Sequence, residues 1–345
     1  VYFTSDVICT SQAVDDRTGS DTTALETWYA ESIDGFFSRF PETSGLILRV
    51  GESDGLDVDD PIRSRLHLRT PTEANHLLKR LLPIFERHGK TLILRTWTVG
   101  AHPIGDMIWH PSRIDRLLHG IDSPALVLSF KHGESDFFRY LRLNPAMLRH
   151  GPPKIIEFQA RREYEGAGEY PSFIGWELEG LAQELTAGES LLGFSIWCQT
   201  GGWHAFKRRP FVTEKPNPEE TWIALNCASA IGTFRFKTTA EESVTRYLGP
   251  DRAPAAIALL RHADTAVREL LYISAFARQE LFFRRVRIPP LLHAYWDCLF
   301  CTSQVRKLIR HFVDDHQQAL QEGEAALTLF GPMKALAQEA GLPTE

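Results

Sequence analysis

Two short apolar runs, ALVLSF at 125–130 and KIIEFQ at 154–159, each end abruptly in charge. Runs this short, rich in leucine and β-branched residues, belong to strands buried on both faces. Lys131, His132, Glu134 and Asp136 follow the first, and Arg161, Arg162, Glu163 and Glu165 follow the second. Buried parallel strands that release acids and bases at their carboxyl ends are what a (β/α) barrel enzyme needs, because its active site lies on that face. The pattern predicts a catalytic face of carboxylates and cations.

The remaining chain repeats the theme. VYFTSDVIC opens as a strand, TSQAVDDRTGSD reads as a loop, and LETWYAESIDGFFSRF has apolar residues at helical spacing. GLILRV is the second strand, followed by the acidic loop GESDGLDVDDP. A helix is expected over 72–88, capped by Gly89 and kinked or broken at Pro83. TLILRTWTV, ALVLSF, KIIEFQ and LLGFSIW supply strands three to six, with helices at SRIDRLLHGI and GWELEGLAQELTAG. This alternation predicts an α/β fold, a (β/α)8 TIM barrel. Six strands fall two short of closure, so two βα units are expected ahead of Val1. An open, doubly wound six-stranded sheet is the runner-up, although the first strand is followed by no glycine fingerprint for a nucleotide phosphate.

From Pro216 nearly every stretch carries a helical signal, including PAAIALLRHADTAVRELLYISAFARQELFFRRV. The chain is therefore expected to divide into a barrel portion, 1–215, and a C-terminal helical region, 216–345. Some of the helical surface is expected to form a homodimer contact.

Composition narrows the function. A formal net charge of −6 and a pI near 6.1 argue against a general binder of nucleic acid or anionic membrane. No apolar run approaches the ~20 residues of a membrane span. Five scattered cysteines do not suggest a disulfide framework, so a reducing, cytoplasmic setting is expected. Cys298 and Cys301 form a C-x-x-C, but no second pair completes a zinc set. Two small apolar residues on one helix face is the better reading, and no metal or cofactor is expected.

Any one carboxylate past a strand end is more often ion-paired than catalytic. Three of them, Glu52, Asp136 and Glu163, leave three different strands, and together they suit glycoside hydrolysis: one protonates the leaving oxygen and another activates water or attacks. Arg49, Arg95 and Lys131 also stand at strand ends. Each could pair with a neighbouring acid, but as a set they describe an anion pocket. Arg139, in FKHGESDFFRYLR, is counted with the substrate-binding residues. Trp97, Trp109, Trp197 and Trp203 offer faces for sugar rings or for packing, Trp203 being the best platform. His132 and His204 lack ligand-spaced partners and are expected to hydrogen-bond. Glu157, inside its strand on the same side as Gln159, is expected to be buried and partnered. An acidic oligosaccharide satisfies both charge clusters.

These stretches, VYFTSDVIC, GLILRVGESDG, TLILRTW, FKHGESDFFRYLRLNP, IIEFQARREYEG and more faintly WIALNCASAIG, resemble the α-glucuronidases of glycoside hydrolase family 67 over roughly the first 230 residues. The resemblance implies a (β/α)8 barrel with a helical C-terminal domain and an inverting single displacement. It puts Asp136 and Glu163 at the two base carboxylates, Glu52 near the general acid, and Lys131, Arg95 and Arg49 near the cations that hold a uronic carboxylate. Two departures stand out: the loop at Glu52 is one residue shorter, and Arg49 replaces the usual lysine. They leave room for a sister family acting on another uronide. A uronide-binding barrel or a polysaccharide lyase is the alternative; a lyase needs a base and a charge-neutralising group but no protonated carboxyl.

Overall fold

The computed structural model describes residues 1–7, 9–19, 21–50, 62–64, 67–96, 111–134, 136–185, 191–198, 221–279, 282–283, 286–287 and 303–344. Its first half alternates strands and helices: β1 (Tyr2–Asp6), β2 (Cys9–Ser11), α1 (Gln12–Thr18), α2 (Thr22–Arg39), β3 (Gly45–Arg49), β4 (Ile62–Ser64), α3 (Pro71–His88), β5 (Thr91–Arg95), α4 (Pro111–Leu118), β6 (Leu126–Lys131), β7 (Lys154–Gln159), α5 (Gly175–Leu185) and β8 (Leu191–Trp197). Six strands form one parallel sheet in the order β1-β3-β5-β6-β7-β8, while β2 and β4 pair separately and antiparallel. Doubly wound sheets reverse their strand order at a switch point. This order follows the chain without reversal, as successive βα units of a barrel do, although eight strands are needed to close one.

Local sequence accounts for the helices. Thr70 accepts from the Glu73 N–H while the Glu73 carboxylate accepts from the Thr70 N–H, and Gly89 ends α3 in the left-handed region at φ 62°. The helix continues through Pro83 without the break that was one of the two expected outcomes there. Leu77, Leu78, Leu81, Leu82, Ile84 and Phe85 are all buried on it, and that burial outweighs one lost backbone bond. The expected loop TSQAVDDRTGSD instead contains α1. That helix buries none of its side chains and is held locally, by Gln12 donating to Asp16 at 2.8 Å and Thr10 donating to Asp15 at 2.7 Å.

The second half is mostly helical: α6 (Thr221–Ile231), α7 (Ala240–Leu248), α8 (Ala253–Ala266), α9 (Ser274–Ala277), α10 (Ser303–Phe312), α11 (His316–Thr328) and α12 (Phe330–Glu339). π-helical turns at Gly232–Phe236 and Val267–Tyr272 continue α6 and α8. A helix was expected through RQELFFRRV, and among its described residues Phe282, Phe283 and Val286 are extended instead. There β9 (Phe282–Phe283) and β10 (Val286–Arg287) pair antiparallel, because aromatic and β-branched residues suit a pleated pair as well as a helix face.

Two compact units emerge from the contacts: Val1–Lys131, Asn144–Ile156 and Gly188–Gly193 form one, and His132–Leu143, Glu157–Ala187 and Phe194–Glu345 the other. The expected division after residue 215 follows secondary structure. The contacts instead group the segments that follow β6 and β7 with the C-terminal helices. In the first unit, Phe37 of α2 meets Phe85 of α3 edge to face at 5.0 Å. In the second, Trp222, Leu225, Val244, Leu259, Leu260 and Met333 share one core.

Candidate active site

The segment after β6 turns back on itself. Gly133 bridges antiparallel to Leu143, and the Glu134 N–H donates to the Arg142 carbonyl at 3.2 Å. Asp136 sits inside this turn. Its Oδ1 accepts from the Phe137 N–H at 2.8 Å and its Oδ2 from the Tyr164 hydroxyl at 2.7 Å.

The segment after β7 is tied more tightly. The Gln159 side chain receives the Glu163 N–H at 2.8 Å and donates to the Glu163 carboxylate at 2.9 Å. Arg162 has a left-handed backbone at φ 54°, uncommon for a side chain of its size, and its carbonyl accepts from the N–H groups of both Glu165 and Ala167 at 2.9 Å. Two carboxylates, Asp136 and Glu163, thus stand on turns that follow consecutive strands, and Tyr164 links those turns.

Behind them lies a buried ion network. Arg139 gives its Nε–H to Glu165 at 3.1 Å, one Nη to Asp264, and the other to Glu165, Ser172 and the Phe173 carbonyl. Arg162 also binds both oxygens of Glu165, and Tyr272 donates to it at 2.7 Å. Arg268 joins Asp264 at 2.8 Å and Glu177 at 3.1 Å. Arg139, Arg162 and Arg268 balance Glu165, Glu177 and Asp264, which is what allows ions to be buried here. Burial is the largest single influence on Glu165 and pushes its pKa up, but the charges and hydrogen bonds of Arg139 and Arg162 together outweigh it and hold the carboxyl well below the usual range.

A carboxyl whose folded pKa is depressed contributes stability that is fully present above its unfolded pKa, ~4.3, and is lost as pH falls toward the folded value. The thermal midpoint should therefore drop steadily below about pH 4. A Glu165→Gln protein, already destabilised at neutral pH, should lose less over that range; parallel decline in the two would assign the acid sensitivity to other groups.

The sequence-nominated residues meet different fates. Asp136 and Glu163 are brought onto the linked turns. Arg139 departs from its expected substrate contact: its side chain is 0% exposed and its donors point into the protein. Arg49 pairs with Asp6 on the neighbouring strand, Nε to Oδ1 at 3.1 Å. Arg95 and Lys131 are buried at the ends of β5 and β6 and share a face of the sheet, because Arg95 lies opposite Ser129 and Lys131 is two residues further along. Glu52, Trp97, Trp109, Trp203 and His204 lie outside the described residues, as do Cys298 and Cys301.

His132 is half-buried, its ring stacked on Phe137 with centroids 6.0 Å apart, and Trp197 packs against the same Phe137 at 6.4 Å. Glu157 and Gln159 are both buried on one face of β7. Sequence reasoning missed Tyr164, although it directly follows Glu163. It also missed the role of Gln159 as the side chain that holds Glu163. Among the described residues, no cluster of three or more His, Cys, Asp or Glu could hold a metal ion, and no helix is long and apolar enough to cross a membrane. Cys198 and Cys227 are free thiols with their sulfurs 3.6 Å apart.

The fold and these turns describe a mixed α/β protein with carboxylates gathered past consecutive parallel strands. No family model matches the chain, and no curated protein matches it. Among solved structures, a GH138 enzyme targeting pectin rhamnogalacturonan II is similar to it, with a TM-score of 0.47 and 11% sequence identity over 98% of this chain and 62% of that one. The chain thus spans less than two thirds of that structure's length. A likeness of this degree carries no argument about chemistry, and the resemblance to family 67 rests on sequence motifs alone.

Proposed function

We propose that this protein is a glycoside hydrolase built on a (β/α) barrel scaffold, releasing an α-linked uronic acid, glucuronic or 4-O-methylglucuronic, from oligosaccharides with inversion. The observation that supports this reading most is the pair Asp136 and Glu163 on turns after β6 and β7, both held by hydrogen bonds in defined positions. In the proposed reaction Glu52 protonates the leaving oxygen, and Asp136, with Glu163 beside it, activates the attacking water. Inversion requires the acid and base carboxyls to stand about 6.5–9.5 Å apart, leaving room for that water. Arg95 and Lys131 supply the positive charge for the uronic carboxylate.

The experiment is hydrolysis of a panel of aldouronic and other acidic oligosaccharides, with the anomer of the first-formed product read by NMR. A product absorbing in the ultraviolet would mean elimination, the work of a lyase. Replacing Lys131 or Arg95 with glutamine should lower kcat/KM for a uronide by about 10- to 100-fold, the loss of a hydrogen bond to a charged group, while a neutral-sugar analogue is nearly unaffected. Because both residues are buried, each variant is checked first by its thermal midpoint. Equal losses on charged and neutral substrates would give these residues a purely structural part.

A further inference from the structure

We infer that Tyr164 is a positioning residue for Asp136: its phenolic O–H fixes Oδ2, so that the carboxylate is held ionised and in one orientation for the water it activates. The inference rests on the hydrolase reading for its catalytic meaning, but the bond itself stands on geometry.

The contact is short, 2.7 Å from Tyr164 Oη to Asp136 Oδ2, and the opposite oxygen is taken by the Phe137 N–H at 2.8 Å. Rotation of the carboxylate would break both bonds. Tyr164 is itself held at its ring and at its backbone. Its ring stacks on Phe138, centroids 4.6 Å apart and planes 24° from parallel, so the turn that carries Asp136 also holds the phenol. Its backbone lies in the turn closed by the Arg162 carbonyl, by Arg161 Nε donating to the Ala167 carbonyl at 2.9 Å, and by the Gln159–Glu163 pair. The phenol has little freedom to leave.

The Tyr164 hydroxyl donates to the carboxylate, which has no proton to give in return. A donor of this kind favours the ionised form of its acceptor. A general base must be ionised to take a proton from water, and it must stay where that water sits. Tyr164 serves both needs, and because it is the residue after Glu163 it couples the placement of the two carboxylates.

Tyr164→Phe tests this directly, since the ring can keep its place on Phe138 while the O–H is lost. The protein would be labelled with aspartate carrying ¹³C in the side-chain carboxyl, and the Asp136 resonance identified by its absence in Asp136→Asn. Its titration midpoint should rise by about one pH unit in Tyr164→Phe, with the thermal midpoint nearly unchanged. The acidic limb of kcat/KM on the uronide should move up by the same amount. At its optimum pH, kcat should fall about tenfold while KM holds. His132, Glu134, Tyr140, Arg142, Arg161 and Glu163 are titratable groups of the two turns outside the buried network, and the replacement leaves all of them in place.

An Asp136 midpoint that stays where it was would overturn the inference whether or not the wild-type protein hydrolyses uronides. A midpoint that rises in a protein without hydrolase activity would overturn the functional reading and leave the Tyr164–Asp136 bond standing. An acidic limb that stays fixed while the Asp136 midpoint moves would separate Asp136 from the rate-determining ionisation, and with it remove the catalytic meaning of Tyr164.

Discussion

Arg139→Met should destabilise the protein by about 3–5 kcal/mol, the cost of breaking a buried ion pair by removing one partner. The side chain lost is wholly buried, and it bonds Glu165, Asp264, Ser172 and the Phe173 carbonyl. With it gone, three carboxylates share two guanidiniums, and Glu165 keeps only Arg162 for charge. Chemical denaturation gives the free energy directly, and activity assayed well below the melting range gives the functional effect. If the residue binds substrate, the loss would instead appear as weaker uronide handling in a protein of normal stability. That result would reverse the structural assignment. Removing both partners, as Arg139→Met with Glu165→Leu, should not rescue stability as it would for an isolated pair. Arg162 would then be buried without its carboxylate, and Tyr272 and Ser172 would lose their acceptor.

That network explains what the sequence could and could not reveal. ALVLSF and KIIEFQ were legible because their shortness and their leucine, isoleucine and aromatic content suit a buried strand better than a helix, which runs longer. Gly89 was legible as the end of α3 because a left-handed cap acts within the helix's own last turn, whereas the Thr70–Glu73 box at its start was not singled out. The charges past β6 and β7 were legible as a cluster but not as individuals. In sequence, Arg139 and Asp136 look alike, two ionisable residues past one strand. Arg139 turns inward to meet Asp264, 125 positions downstream, and Glu165 meets Tyr272, 107 positions downstream. No local spacing encodes such a pairing. Tyr272 reaches Glu165 from the end of a π-helical turn, just before Ile273, which is held at φ 56°. A β-branched residue in that region is a feature no propensity would choose, and it is kept here because the surrounding contacts fix it.

The helical region therefore has a place in the site's construction. Arg162 bonds Glu165, Glu165 is held by Arg139 and Tyr272, and Glu163 is the next residue after Arg162. Helices more than a hundred residues downstream thus help to set the backbone from which Glu163 and Tyr164 project. The C-terminal region is part of the scaffold of the two carboxylate-bearing turns.

Asp136→Asn should lower turnover by about 10²- to 10⁴-fold, the usual contribution of a positioned general base. The substitution suits the site because the fold has little reason to object. The Asn oxygen can still accept from the Phe137 N–H, and its amide can donate to the Tyr164 oxygen once that hydroxyl has rotated. What disappears is the capacity to take a proton from water. The loss should therefore be similar for a natural oligosaccharide and for an activated aryl uronide, because water needs activating whatever group departs. Glu52→Gln should behave differently and spare the aryl uronide, whose leaving oxygen departs without a proton. Glu163→Gln should cost less than Asp136→Asn if Glu163 serves mainly to orient, since a glutamine can keep its bond to Gln159. Azide separates loss of the base from loss of the pocket. It is a nucleophile that needs no deprotonation, so it should restore turnover of the aryl uronide by Asp136→Asn and yield a glycosyl azide of inverted configuration. Wild-type turnover by Asp136→Asn would take Asp136 out of the chemistry. A deep loss that azide cannot relieve would mean that the aspartate shapes the site without acting as its base, and Glu163 would then be the carboxylate that activates water.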